Sequence, residues 1–500
     1  MKMETERKFD VGDSAAVPDL TAIPGVALTE PPVTDHLEAS YFDTGRLDLA
    51  VRGITLRRRT GGTDDGWHLK MPAGMDQQGK IHEPLGQPEK VPDTLKDRLL
   101  VYTRGRALQR VARISTERTT HRLHDEEGAH IADLSDDKVH AEAFLPAGLT
   151  TQWRQWEMEA APGWDSILDA AAETLEAAGA SPSEHRAKLA RTFGPRWPAP
   201  PEAWRRAPRK KGPVEAVAIA YVGDQIRTLL ELDHGVRWEE PDAVHQMRST
   251  TRRVRSGLAT YKTLFTKSRV RDLQRELKWL AGMLGAVRDA EVLRTRILDS
   301  IRALPEAHGT GPLFAAVEQD LVSSYDAAYR QLVRTLGSDR YFRLLDALES
   351  FRDQPPTKAA GSRPARKASP KLVNKVAKRL DRAQRAAAKA DAGEQRDVAL
   401  HQIRKDAKRL RFAAESVELI HGKPARKLAK SAKGLQRILG EHQDSVIGRA
   451  YLQDIATRPG LPADAAAASR TLSGLEDQKA ADTEAQYNKA RGKTYKARLQ

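Results

Sequence analysis

Apolar and polar residues alternate one by one through much of the first two hundred positions, then recur every three or four residues for the rest of the chain. The first rhythm is that of strands with two different faces, the second that of amphipathic helices. Strand-like runs are "ASYFDT", "ITLRRR", "GWHLKMP", "RVARISTERTTHRL", "AHIADLSDDKVHAE" and "WRQWEMEA", divided by Gly, Pro and Asp. Helical patterns close this region, from about Trp164 to Ala178 and from about Ser183 to Phe193. These elements predict an antiparallel sheet or β-barrel with attached helices over residues 1–193, and the barrel is the fold expected. The stretch from Gly194 to Pro213, "GPRWPAPPEAWRRAPRKKGP", has neither rhythm and reads as a linker. Residues 214–500 predict an all-α region, so the fold class is α+β in two domains. A Pro- and Lys-rich break from Asp353 to Lys371 splits the helices into two sets, about 214–352 and 372–500.

The two helical sets repeat one another. "HQMRSTTRRVR", His245 to Arg255, matches "HQIRKDAKRLR", His401 to Arg411, and downstream "LGAVRD", ending at Asp289, answers "LGEHQD", ending at Asp444. On a helix turning roughly 100° per residue, His245, Arg248, Arg252 and Arg255 fall in one stripe about 80° wide. His401, Arg404, Lys408 and Arg411 repeat it. Met247, Val254 and Leu258, and in the second copy Ile403, Leu410 and Ala414, form the apolar flank. Such a stripe on one helix is usually a solvated face. Its repetition, the small number of its acidic partners, and the aligned Lys278 and Lys433 favour an external anion. Asp289 and Asp444 either orient some of these cations or are ordinary helix acids.

The charge balance agrees. Residues 1–200 hold 25 Lys and Arg against 32 Asp and Glu, a net of −7, and residues 201–500 hold 58 against 36, a net of +22. A polyanion is the natural partner of the second part. With no Cys in the chain, a metal can be held only by Asp, Glu or His. No apolar run has the length of a membrane span, which places the expected location in the cytoplasm. There is no Walker A motif. Aromatics make up 5% of the chain and no helix-turn-helix or zinc motif is present, which disfavours nucleic acid as the partner of the basic helices.

In the β region the polar positions are sorted. Glu4, Glu6 and Lys8 share one side of the first strand in "METERKFDV", Arg57 and Arg59 one side of "TLRRR", His68 and Lys70 one side of "WHLKM", and Glu157 and Glu159 one side of "WEMEA". One such face is adequately explained as a wet exterior; several of them suit a barrel with a charged lumen, where acids hold a divalent ion and bases its anionic ligand.

These residues carry two resemblances. The doubled H-x-x-R stripe with its "LG" and Asp motif resembles the CHAD family, the conserved-histidine α-helical domain, over about Val214 to Gln500. That implies two pseudo-symmetric bundles binding inorganic polyphosphate through His245, Arg248, Arg252, Arg255, Lys278, His401, Arg404, Lys408, Arg411 and Lys433. The E-x-E-x-K of Glu4, Glu6 and Lys8 resembles the mark of the CYTH superfamily, the triphosphate tunnel metalloenzymes, over about Met1 to Arg191. That superfamily includes inorganic and thiamine triphosphatases and class IV adenylyl cyclases. The resemblance implies Glu4, Glu6, Glu157 and Glu159 as ligands of Mg2+ or Mn2+, with Asp136 or its neighbour Asp137 completing the acid set. It implies Arg57, Arg59, Lys70 and Arg118 as clamps on the triphosphate, Lys188 reaching in from the closing helix, and Lys8 holding phosphate or poising water. Two positions depart from the pattern. His82 stands where many relatives show Arg, and Arg118 is out of phase with Arg113 unless the strand bulges. The function implied is metal-dependent hydrolysis of tripolyphosphate or another triphosphate by a protein that also holds polyphosphate, at polyphosphate granules. The alternatives are a non-catalytic polyphosphate-binding protein and, third, a nucleic-acid-binding helical protein.

Overall fold

A computed structural model describes residues 6–72, 80–145, 147–185, 187–198, 207–304, 310–495 and 499, with the backbone alone at 147 and 492–495. The chain separates into two compact units, Met1–Pro200 and Pro201–Gln500. Among the described residues no helix is long and apolar enough to cross a membrane.

The first unit contains, in chain order, β1 (Glu6–Val11), β2 (Leu28–Thr29), β3 (Val33–Asp43), β4 (Thr55–Thr60), β5 (Gly66–Lys70), β6 (Lys80–Glu83), α1 (Asp93–Thr103), β7 (Gln109–His124), β8 (His130–Phe144), β9 (Ala147–Ala160), α2 (Ile167–Ala177), β10 (Ser181–Pro182) and α3 (Lys188–Phe193). All strand pairs are antiparallel. The strands lie in the order β10-β1-β9-β8-β7-β3-β4-β5-β6, with β2 beside β7. The expected barrel is therefore an open sheet: among the described residues its two ends do not pair. Among the described residues the edge strands are short: β10 has two residues, one of them a proline, and β6 has four.

The alternation separates the sheet's two faces. On one, Phe9, Leu134, Trp156 and Met158 pack under Ile167, Leu168, Ala171 and Leu175 of α2. The other face changes character along the strands. At one end Ala39, Tyr41, Ile114, Val139, Ala141 and Trp153 meet Leu189 and Phe193 of α3. Toward the other end the same face is charged. Thus α3 covers the apolar end, and its first residue, Lys188, stands at the boundary with the charged one.

The second unit is helical: α4 (Val214–Arg237), α5 (Ala243–Thr260), α6 (Lys267–Arg302), α7 (Thr310–Leu336), α8 (Asp339–Asp353), α9 (Ala365–Ala387), α10 (Glu394–Glu415), α11 (Glu418–His421), α12 (Lys423–Ile455) and α13 (Ala463–Tyr495). In the first copy α4, α5, α6 and α7 pack in sequence, as do α9, α10, α12 and α13 in the second. Across the copies α4 meets α9, α5 meets α10, α6 meets α12 and α7 meets α13. Each helix touching its own counterpart is the signature of a pseudo-twofold axis. Met247, Val254, Leu258, Ile403, Leu410 and Ala414 are fully buried, as their flank position predicts. Helix α9 begins at Ala365 and runs through Pro370, so the second copy starts earlier than position 372. Pro370, the sixth residue of the helix, gives up one ladder bond and crowds the Arg366 carbonyl, yet the helix continues through it.

Candidate functional site

In the first unit, strand register assembles the charged face. Glu6 lies opposite Glu159 and Lys8 opposite Glu157. Arg118 lies opposite Asp137 on β8 and Asp35 on β3. Farther along, Arg57 lies opposite Tyr41 on one side and His68 on the other, and Lys70 opposite Thr55. The acids are thus concentrated on β1, β9 and β8, and the bases on β4 and β5, with Arg118 between.

At the centre is Glu157. Its carboxylate accepts from Lys188 Nζ at 2.8 Å, Arg118 Nη2 at 2.6 Å and Gln155 Nε2 at 2.7 Å, and Lys8 Nζ lies 3.4 Å away. Asp137, whose side chain is 0% exposed, accepts both arms of the Arg118 fork at 2.7 Å and Lys188 at 2.7 Å. Burial alone would raise the Glu157 pKa, but Lys188, Lys8 and Arg118 together hold it well below the usual carboxylate range. Burial likewise works against the charges of Lys8 and Arg118. Glu157 and Glu6 around the one, and Asp137 and Glu157 around the other, raise both pKa values. Lys8 stands between Glu6, at 3.1 Å, and Glu157, so the two acids are bridged by its ammonium.

The base-rich side is less satisfied. Arg57 Nε is buried with no hydrogen-bond partner, and Arg59 is held by Asp64 at 2.6 Å. Burial, followed by the neighbouring Arg57, lowers the Arg59 pKa. Lys70 is exposed.

Of the residues singled out in the sequence, Glu6, Lys8, Arg57, Arg59, Lys70, Arg118, Glu157, Glu159 and Lys188 come to this face. Glu4 lies outside the described residues. Asp136 is corrected: it points to the opposite face, where it takes Arg154 through two bonds of 2.8 and 2.7 Å, and Asp137 completes the acid set. Period-two geometry separates the neighbours, and only the paired strands reveal which is inside. Arg118 needs no bulge. The β7–β8 register runs unbroken from Arg113 to Arg118, so Arg113 faces away and meets Glu38 at 2.8 Å. Gln155 was missed, although its place two before Glu157 puts it on the same side; Asp64, in a turn, gave no signal.

The oxygen-rich set suits a hard divalent ion, because Glu6, Glu157 and Glu159 offer only carboxylate donors beside neutralising lysines.

In the second unit, α5 and α10 pack against each other and bring the two stripes together. Arg248 donates to Asp289 at 2.8 Å, and its counterpart Arg404 lies 3.9 Å from Asp444. The side chain of Arg248 crosses Gly285 of the first "LG", that of Arg404 Gly440 of the second, and the Nε of each is buried without a partner. A β-carbon at either glycine would just reach the arginine, so a larger residue would displace it. Burial, then the positive charge of Arg248, with Arg404 also contributing, lowers the Arg252 pKa to about 10. Lys408 is pushed down to about 7 by burial and then by Arg252, Arg404, Arg248 and Arg411. Burial and nearby cations, Arg288 first for His245 and Lys405 first for His401, lower both histidines. Arg255 is also lowered, by burial and then by Arg409, and Arg411 is held by Glu415 at 2.7 Å. Lys278 and Lys433 are exposed, eleven residues before Asp289 and Asp444 and so on the same helix faces about three turns away. In the second copy His442 fills the place of Val287, both buried, and the imidazole is accommodated by Asp397 at 3.4 Å.

Residues 2–193 match the CYTH domain and residues 220–453 the CHAD domain. "Uncharacterized protein MT2285" and "Uncharacterized protein Rv2226", from two strains of Mycobacterium tuberculosis, are each 38% identical over 467 residues, 90% of this chain and 88% of their own. Among solved structures, PptA from Streptomyces chartreusis is similar at 19% identity over 56% of this chain and 99% of its own, with a TM-score of 0.48. The CHAD domain from the plant Ricinus communis is similar at 25% identity over 60% and 98%, with a TM-score of 0.45. The chain belongs to the family in which a CYTH domain, of the triphosphate tunnel superfamily, is followed by a CHAD domain.

Proposed function

We propose that the first unit is a metal-dependent inorganic triphosphatase, acting on tripolyphosphate or a related triphosphate, and that the second binds inorganic polyphosphate. The observation that carries the reading is the sorting of one sheet face into an acidic wall on β1, β8 and β9 and a basic wall on β4 and β5. Phosphoryl transfer to water requires charge neutralisation, alignment and an oriented nucleophile more than covalent catalysis. Arg57, with its unpartnered Nε, Arg59 and Lys70 hold the phosphate chain. Glu6, Glu157 and Glu159 would hold Mg2+ or Mn2+, which would supply charge neutralisation and activation of water. Lys8, bridged between Glu6 and Glu157, keeps the acids in place and meets phosphate or water. Arg118 and Lys188 pair with Asp137 and hold Glu157 ionised, and α3 keeps solvent from the apolar end of the face.

In the second unit, anionic phosphate relieves the repulsion among Arg248, Arg252, Arg404, Lys408 and Arg411 and satisfies the two buried Nε donors. A protein that both holds and shortens phosphate chains belongs at cytoplasmic polyphosphate granules. The test is phosphate release from tripolyphosphate with Mg2+ or Mn2+. Wild type should turn over, and Glu6→Ala with Glu159→Ala should lose about a hundredfold or more, the scale of removing charge stabilisation at a phosphoryl-transfer site. No release by wild type leaves a binding protein alone. Duplex DNA competing with polyphosphate on equal terms at matched salt would replace the polyphosphate reading with a nucleic-acid one.

A further inference from the structure

Away from the acidic wall, three side chains of other chemistry meet. Asp64 lies in the turn between β4 and β5, and His68 and His82 are direct partners across β5 and β6, their rings 4.9 Å apart. One donor atom from each of the three lies within 4.8 Å of the other two, and among the described residues no other His, Asp and Glu come together in this way. His68 Nδ1 is 3.9 Å from Asp64 Oδ2, and His82 Nε2 is 3.8 Å from Asp64 Oδ1.

Two features mark the cluster as built to receive something. The His68 side chain is 3% exposed, yet its Nδ1 is buried with no hydrogen-bond partner. Its other nitrogen, Nε2, is 3.0 Å from the Asp64 carbonyl oxygen, which can only accept, so Nε2 carries the proton and Nδ1 presents a lone pair. A ring oriented by donation to a backbone carbonyl is the usual arrangement of a metal-ligating histidine. Second, Gly66 has a φ of +149°, and a β-carbon there would overlap His82 Nε2 and the Glu83 carbonyl oxygen. The absence of a side chain at 66 makes room for the second imidazole.

We propose that Asp64, His68 and His82 form a binding site for a borderline-soft divalent ion of the Zn2+ class, separate from the carboxylate set that takes Mg2+ or Mn2+. Two imidazoles and one carboxylate suit Zn2+, Co2+ or Ni2+, and leave a fourth position open for water or a phosphate oxygen. Arg59 on Asp64 Oδ2 and Arg57 nearby oppose a cation, so the ion must be one that bonds strongly to imidazole; Mg2+ does not. Loading exchanges the contact of His82 Nε2 with the Asp65 carbonyl, 3.0 Å in length, for the metal bond, with the ring changing tautomer.

The test uses the full-length protein with Mg2+ in excess to occupy the carboxylate set. Co2+ is titrated by calorimetry and by visible absorption, where nitrogen and oxygen coordination gives characteristic bands. Wild type should bind one Co2+ with saturation and give those bands. His82→Gln, at a half-exposed position that spares the core, and Asp64→Asn should each weaken binding at least about tenfold, the minimum seen even for outer-sphere changes at metal sites. Absence of saturable binding in wild type, or binding equal to wild type in both variants, would overturn the site.

Discussion

Lys408 is the residue whose chemistry departs furthest from its ordinary behaviour in the helical unit. It faces Arg404 and Arg411 on its own helix and Arg248 and Arg252 on α5, and among the described residues no carboxylate lies within ion-pair distance. With its pKa lowered to about 7, the free protein carries a neutral amine there above neutral pH. A bound phosphate chain restores the proton, so binding above pH 7 takes one up. Polyphosphate affinity should therefore fall as pH rises from 7 to 9, by up to about tenfold per unit. Calorimetry in two buffers of different ionisation heat should detect the uptake. Lys408→Met should remove both effects, and a pH dependence unchanged in that variant would exclude Lys408 as its source. The stability sign is opposite. Between about 7 and 10.5 the unfolded chain holds a proton that the folded chain has lost, so stability rises with pH across that window, and the full penalty applies below it. Lys408→Met should then stabilise the unliganded protein at pH 6, by about 2 kcal/mol once solvent screening is allowed for. The positions of this lysine and its arginines were legible from spacing on one helix. That arginines of the other copy depress its pKa was not, because α5 and α10 are separated by more than a hundred residues of chain.

At the scale of elements, α5 and α10 carry like-charged stripes and yet pack. What joins them is Glu415, at the end of α10, which accepts from Arg253 at 2.6 Å and from Arg411 at 2.7 Å. Tyr261 and Ser416 add a buried hydrogen bond of 2.7 Å, and the Arg253 guanidinium lies 4.8 Å from the centre of the Phe412 ring. Glu415→Gln leaves two guanidiniums facing each other across the joint. It should destabilise the helical unit by about 2–3 kcal/mol, below the roughly 3–5 kcal/mol of fully buried pairs because Glu415 is partly exposed. Denaturant titration followed by helical circular dichroism would measure this, and an unchanged transition would show that the apolar flanks alone hold the pair. Neither Arg253 nor Glu415 belongs to the repeated stripe, so the repeat does not reveal them. In the sheet unit, by contrast, the strands were visible because each carries its own alternation. Barrel closure depends on two edge strands distant in the chain, which no local pattern records, and among the described residues those edges do not pair.

For the whole molecule, the charge division between residues 1–200 and 201–500 predicts separable functions. Arg252, Arg255, Lys408 and Arg411 changed together to Glu should abolish retention on immobilised polyphosphate, a loss of about a hundredfold or more given the steep dependence of polyanion binding on neutralised phosphates. Tripolyphosphate hydrolysis should stay at the wild-type rate. Retention equal to wild type would remove the paired basic stripes from the polyphosphate reading, and lost hydrolysis would show that the two functions are coupled.

The sequence by itself determined the class of each half, the duplication, the identity of the basic stripe and nearly all of the charged strand positions, because each of these is a periodicity in a short window of chain. Tertiary structure alone decided that Asp137 rather than Asp136 enters the acid set, that Lys188 reaches Glu157, that the two stripes face each other, and that a turn aspartate meets two histidines. Those outcomes depend on register and packing between segments far apart in the chain, where a shift of one residue reverses a strand's faces and no local pattern records the partner.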